Sequence, residues 1–279
     1  MSEDLKTEIK DRALEIRNLP TLPLALTEVS TLLDDPEVST DEVARVIGRD
    51  QVLSAKVLKM VNSPVYGFPG RIGSVQHSLV LLGLNVIRGV IISTSVFDIM
   101  VESMAGLWEH SLGCATACQR LARRAGFKDP EEYSVAGLLH DLGKVVTACQ
   151  MPDVKARIDE VVAADDLTYF EAERKLLGFG HDRINAWIAE HWKLPLRLKE
   201  GMAMHHKPQL AQYYPDVAAV VHIGDFLTRV YEFGSGGDDQ AVPLKPEALK
   251  LLKLTMCDLE VVLDELEGDL SEIAGLRFA

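Results

Sequence analysis

A chain of 279 residues, 47% hydrophobic and 25% charged, lies beyond the smallest domain classes and suffices for a large core in one domain or two subdomains. Its formal net charge of −13 opposes general attraction to DNA or RNA, so no nucleic-acid partner is expected. It has no uninterrupted apolar stretch of the roughly 18 residues that a spanning helix needs. The opening Met-Ser-Glu-Asp-Leu-Lys lacks the basic-then-apolar pattern of a leader, so the chain reads as cytoplasmic and without a membrane contact. The cysteines fit that compartment: Cys114 and Cys118 share a helix face, Cys149 and Cys257 stand alone, no Cys-x-x-Cys pair is present, and all four read as buried thiols.

In chain order, Leu5, Ile9, Ala13 and Ile16 recur at helical spacing between charges and predict an amphipathic helix over 3–17. Leu19-Pro20-Thr21-Leu22-Pro23 then breaks the chain and restarts it, with Thr21 as N-cap and Pro23 in the first turn of a helix to about Asp34. Ser39 and Glu42 have capping-box spacing ahead of Val43, Val46 and Ile47, and Asp50 caps the helix expected over 51–61. The turn-rich segment 62–70 carries Tyr66 and Phe68, which suggest a loop packed down on the fold. Ser74 starts a helix interrupted near Gly83, and the apolar run from Val86 to Val101, broken by Arg88, Ser93-Thr94-Ser95 and Asp98, reads as a buried core helix.

The second half continues in the same manner. A helix carries His110 and ends near Arg124, with Gly126 suited to the left-handed position past a helix end. Asp129-Pro130 opens the next, Thr168 and Glu171 form another capping box, and Gly178-Phe179-Gly180 ends that helix so that His181 begins its successor. Pro195 restarts the chain before 196–206, and Asp216 is placed to cap the helix bearing Val217, Val221 and Asp225. Residues 234–239, Gly-Ser-Gly-Gly-Asp-Asp, read as a flexible surface loop, and the tail from Pro246 to Leu276 as helices packed on the bundle.

The chemistry concentrates in residues 133–147, which are apolar apart from a few polar groups, chiefly His140, Asp141 and Lys144. An ionised carboxylate in such a segment is costly to bury unless a cation or several donors compensate it. A metal supplies that compensation, and a salt-linked pair settling a core helix is the alternative. His110, His181, His205, His206 and Asp225 all fall in segments that read as helical, and this inventory of imidazole and carboxylate suits Fe, Mn, Zn or Ni better than Mg or Ca. Adjacent residues on a helix point about 100° apart, so His205 and His206 reach one centre only if the segment bends or the centre holds two metals. Lys144 either faces a phosphate beside the metals or is solvated. His77, His191 and His222 read as surface or satisfied core histidines.

The order His, His-Asp, His, His-His, Asp resembles the HD metal-dependent phosphohydrolase superfamily, in particular its two-metal phosphodiesterase branches. By matching position, the resemblance implies a first metal site of His110, His140, Asp141 and Asp225, a second completed by His181, His205 and His206, and Asp141 bridging. One or two divalent transition-metal ions would then be the cofactor, with Asp141 orienting them and Lys144 offsetting charge on a phosphate. The earlier motifs, Leu19-Pro20-x-Leu22-Pro23, Asn62-Ser63-x-x-Tyr66-Gly67 and Leu82-Gly83-x-x-x-x-Arg88, resemble the HDOD family over about 18–210. That resemblance implies an all-α, multi-helix bundle: an N-terminal helical half over 1–100 packed on an HD-like half over 101–232, followed by the loop and helical extension of 233–279. It also implies a bacterial signal-transduction role with signalling proteins as partners. The alternative is an active phosphohydrolase or phosphodiesterase acting on a nucleotide, a cyclic nucleotide or another small phosphorylated ligand. Two departures from the active branches favour regulation: Gly106 stands where a glutamate ligand would be, and His205-His206-Lys207-Pro208 lacks the Gly-Tyr-Pro segment of cyclic-di-GMP phosphodiesterases.

Overall fold

In the computed structural model, which describes residues 3–15, 28–29, 31–32, 35 and 37–274, the helical spacing of apolar residues resolves into fourteen α-helices, with no strand among the described residues. The expected break at Leu19-Pro20-Thr21-Leu22-Pro23 and the helix to Asp34 lie almost wholly outside them. The first half holds α1 (Glu3–Leu14), α2 (Thr40–Arg49), α3 (Gln51–Val61) and α4 (Val75–Ser103). Their starts follow local chemistry. Ser39 and Glu42 make the reciprocal capping box, the Asp50 carboxylate accepts from the Val52 and Leu53 N–H groups, and the Ser74 hydroxyl accepts from His77 N–H. Each such cap contributes about 1 kcal/mol.

Helix α4 is bent at Gly83, whose φ of 77° and ψ of 169° leave the helical region at little cost only because glycine has no side chain. Beyond the bend, Val86, Ile87, Val90, Ile91, Ile92 and Val96 are all buried. The stretch Val75–Phe97 is in fact long and apolar enough to cross a membrane by length and composition, which corrects the expectation that no segment qualifies. However, 72% of its apolar window is buried inside the fold. The hydroxyls of Ser93, Thr94 and Ser95 bond back to the carbonyls of Val90 and Ile91, so the polar breaks in the run cost little.

The second half comprises α5 (Leu107–Arg124), α6 (Pro130–Leu139), α7 (Leu142–Gln150), α8 (Pro152–Asp165), α9 (Tyr169–Leu177), α10 (His181–His191), α11 (Leu196–Met204), α12 (Pro215–Val230), α13 (Pro246–Leu252) and α14 (Met256–Ala274). At its middle lies α5, packed against α6, α12 and α14, while α4 joins the halves by packing on α6 and α7, and α1 rests on α7 and α10. Small residues let α5 and α6 approach closely. A Cβ at Gly137 would lie 2.7 Å from Cys118 Sγ and 2.9 Å from the Cys114 carbonyl oxygen.

Two local expectations are corrected. Asp216 is not the N-cap of α12; it lies in the first turn, after Pro215, and its carboxylate accepts from the Tyr133 hydroxyl at 2.6 Å. Only Cys114 and Cys118 are buried, whereas Cys149 is half-buried and Cys257 is exposed. Cys257 lies in the first turn of α14, off the face formed by Leu259, Val262, Leu266, Leu270 and Ile273, which buries against the bundle. Arg120 of α5 fastens that helix by donating to both Asp269 oxygens at 2.8 Å.

Because the α5–α6 crossing sets the separation of His110 and His140, Gly137→Ala is expected to destabilise the fold. Overpacking costs about 1–3 kcal/mol and helix propensity returns up to about 1, a net loss of about 1–2 kcal/mol in urea denaturation. An unchanged midpoint would refute the close approach.

Candidate metal centre

Each of the seven residues singled out by the sequence reaches one buried place. His110, His140, Asp141, His181, His205, His206 and Asp225 are all between 0% and 4% exposed. His110 sits in the first turn of α5, its N–H donating to the Gly106 carbonyl at 2.9 Å. His140 and Asp141 occupy the break between α6 and α7, and Asn185 of α10 clamps that break: its amide donates to the His140 carbonyl and its oxygen accepts from Gly143 N–H at 2.7 Å. Gly143 is required there, since a Cβ would lie 2.6 Å from the His181 carbonyl oxygen. His181 begins α10, as its place after Gly178-Phe179-Gly180 predicts. Helix α11 ends at Met204 with His205 as its C-cap, still at helical φ and ψ, and the His205 and His206 rings are both buried at the centre with centroids 4.0 Å apart. Asp225, on α12, accepts from Arg229 Nε one turn later at 2.8 Å.

The hydrogen-bond network dictates which ring nitrogens face the middle. His140 and His205 place Nδ1 on the carbonyls of Gly137 (2.7 Å) and Met202 (2.8 Å), and His181 places Nδ1 on Glu173 Oε2 (2.6 Å). With the proton assigned to Nδ1 by these acceptors, each Nε2 presents a lone pair inward. Those atoms face one another and the Nε2 atoms of His110 and His206: Nε2 of His110 and His140 are 3.3 Å apart, of His181 and His205 3.4 Å, and of His181 and His206 3.0 Å. Opposed lone pairs at such distances repel unless a proton or cation lies between them. Asp141 Oδ2 lies 3.3 Å from His140 Nε2 and 3.6 Å from His110 Nε2, while Oδ1 lies 3.0 Å from His181 Nε2 and makes no hydrogen bond. Three overlapping sets, His110 with His140 and Asp225, His140 with Asp141 and His205, and His181 with His205 and His206, could therefore hold a metal ion, each with donor atoms within 4.8 Å of one another. The inward lone pairs and the orphaned carboxylate oxygen fit a divalent cation better than they fit each other.

The electrostatics favour the same occupant. Burial opposes ionisation of Asp225, but the Arg229 guanidinium and the His110 ring outweigh it and hold the carboxyl well below the usual carboxylate range. At Asp141, burial is overcome in the same direction by His140, Lys144 and His181. Burial pushes His205 and His206 well below the usual imidazole range, aided by neighbouring rings, and lowers His110 as well. For His181, burial is outweighed by Glu173 and Asp141, which lift the ring to about 9, and His140 is raised by Asp141. Two ionised carboxylates beside neutral rings are a ready donor set, and the protons held on the remaining rings are ones a metal would displace.

Lys144 is neither solvated nor free. Its ammonium is 1% exposed, donates to Asp141 Oδ2 at 2.7 Å and to the Gly236 carbonyl at 2.8 Å, and lies 5.4 Å from the Tyr169 ring centroid. Its partner Gly236 belongs to the segment read from sequence as a flexible surface loop, and that reading is corrected. Residues 233–240 form a strap over the centre: Ser235 N–H donates to the Gly106 carbonyl, Asp238 takes hydrogen bonds from Arg229 and Tyr169 N–H, and Gln240 reaches Asp166. Small polar residues look like loop composition, yet here they allow close backbone approach. The strap also accounts for Gly106, which has φ of 81° and has Ser235 N 2.8 Å from where its Cβ would be, so a glutamate has no room there. A cleft of about 350 Å³, lined by His110, Arg229 and the strap, reaches the centre from this side.

Sequence reasoning missed Glu173, Asn185, Arg229 and Phe170. Asn185 and Arg229 stand four residues after His181 and Asp225, a spacing that shares a helix face, and this was the available signal. Glu173 had none, because its bond to His181 crosses the turn between helices. His222 is buried and satisfied, Nδ1 donating to the His205 carbonyl and Nε2 accepting from Lys245 N–H, whereas His77 and His191 are exposed. Since Glu173 alone orients the His181 ring through Nδ1, Glu173→Gln is expected to weaken metal affinity about 10–100-fold in competition with a chromophoric chelator. Unchanged affinity would mean that the ring is positioned by packing.

Comparison with known proteins places these features in context. Residues 19–208 match the HDOD domain. An uncharacterized protein of Treponema pallidum is 24% identical over 231 residues, covering 81% of this chain and 44% of that protein. The cyclic di-GMP phosphodiesterase CdgJ of Vibrio cholerae is 28% identical over 141 residues, covering 50% of this chain and 32% of that one, so the matches span less than half of either relative. Among solved structures, an HDOD domain protein of unknown function from Geobacter sulfurreducens superposes with a TM-score of 0.72 at 27% identity, covering 95% of each chain. A Shewanella amazonensis structure shares the fold, with a TM-score of 0.68 at 24% identity and coverage of 94% of this chain and 96% of that one.

Proposed function

The chain belongs to the HDOD family, which is related to signal-transduction and phosphohydrolase proteins, and from that premise we propose that it is a bacterial regulatory module built round a closed metal centre. His110, His140, Asp141 and Asp225 would hold one divalent transition metal, and His181, His205 and His206 a second, with an Asp141 oxygen directed to each set. The donors suit Fe, Mn, Zn or Ni. When bound, such ions acidify coordinated water and polarise phosphoryl oxygens. The chain's own residues then determine what is done with that capacity.

The observation that carries the regulatory reading is the engagement of Lys144. The cation that would meet a phosphate is instead tied to Asp141 and to the Gly236 carbonyl of the chain's own strap. Arg229 is likewise occupied by Asp225 and Asp238. In this reading the centre stabilises the bundle, and signalling proteins read surfaces that the bundle holds in place. A second reading, a phosphohydrolase or phosphodiesterase acting on a nucleotide or cyclic nucleotide, is favoured by the intact set of seven donors and by the cleft that reaches His110. There Asp141 would orient the ions, and Lys144, released from Gly236, would offset charge on the phosphate.

Metal analysis by mass spectrometry of untagged protein is expected to find about two transition-metal ions per chain in the wild type and none in Asp141→Ala. Metal retained in Asp141→Ala would refute the shared carboxylate. In parallel, incubation with nucleotides and cyclic dinucleotides is expected to give no sustained turnover. Steady hydrolysis that disappears in His140→Ala would replace the regulatory reading with the enzymatic one.

A further inference from the structure

We infer that Arg174 and Lys207, set over Phe170, together with Lys245 on the His206 carbonyl, form an anion site that takes a phosphate-bearing small molecule at the His206 end of the centre. That it points toward the histidines rests on the metal-centre reading; the anion site itself does not.

In a chain of net charge −13, two cations over one aromatic ring with a third on the neighbouring backbone are out of character with the acidic balance of the whole. Lys207 Nζ lies 5.6 Å and the Arg174 guanidinium carbon 5.9 Å from the Phe170 ring centroid. Lys245 joins them by donating from Nζ to the His206 carbonyl at 2.5 Å. The opposing acids are few: Asp182 is 4.0 Å from Lys207 Nζ, and Arg174 has no carboxylate ion pair among the described residues. Like charges so gathered are destabilising unless an anion joins them. A guanidinium with two ammonium groups matches the charge and the several acceptor oxygens of a phosphate.

Phe170 gives the site its direction. Its ring stacks on His206 with centroids 3.8 Å apart and an interplanar angle of 27°, and meets His181 edge-on at 5.8 Å. Gly180 makes room for it, since a Cβ there would collide with the ring. The Phe170 ring is therefore in contact both with the two cations and with His181 and His206. A phosphate seated on Arg174 and Lys207 would sit over the ring that covers the second set of donors.

The test is binding of inorganic pyrophosphate to the full-length chain by calorimetry, with metal as purified and after chelator treatment followed by dialysis. Binding that weakens as salt rises is expected in both states. The double variant Arg174→Gln/Lys207→Gln is expected to weaken it at least about 10-fold while leaving metal content and melting temperature unchanged, because each lost contact is charge-assisted. Lys207→Arg should retain it, as should the control Lys175→Gln/Lys199→Gln, which removes two exposed charges paired elsewhere. Equal binding in the Arg174/Lys207 variant, or an equal loss in the control, would overturn the proposal. Pyrophosphate binding by a chain that holds no metal would leave the anion site standing and the metal reading fallen. Binding to phosphatidylglycerol vesicles without binding to pyrophosphate would assign the cluster to a lipid surface and overturn the small-molecule site.

Discussion

The Asp141 carboxylate is buried at the break between two helices, with one oxygen toward His140 and His110 and the other toward His181. An ionised carboxylate in that position is tolerable only when positive charge and donors surround it. Much of the surrounding architecture answers that requirement. Asn185 braces the break, Lys144 supplies an ammonium, and the histidines present nitrogen from four separate segments. The helices are thus arranged about a charge, and the apolar core grows outward from it.

The same requirement explains why the strap over residues 233–240 belongs to the centre although it follows the last donor in the chain. Lys144 has more hydrogen-bonding capacity than Asp141 satisfies, and the Gly236 carbonyl takes up part of the rest. Arg229, having met Asp225, turns its other nitrogens to Asp238 and the Gln240 carbonyl. Each internal ion pair therefore has an outer partner on the strap. The arrangement links the strap over the centre to its charge state. At His206 the covering is instead an aromatic ring, Phe170, which Arg174 and Lys207 also approach, so the surroundings of the centre differ in chemistry from place to place.

Sequence alone was enough to determine the helical class, most helix starts and the seven histidine and aspartate residues that meet at the centre. Caps depend on contacts within a few residues, so Ser39, Asp50, Ser74 and Thr168 are legible from spacing. Donors are legible because histidine and aspartate are out of place in apolar helical segments, and because their order resembles that of a known superfamily. What only the tertiary structure decided are the relations between segments distant in the chain. These are the clamp of Asn185 on His140, the bond of Glu173 to His181, the capture of Lys144 by Gly236 and the basic group around Phe170. No local pattern encodes them, since each depends on how helices pack and on which backbone groups that packing leaves facing a buried charge.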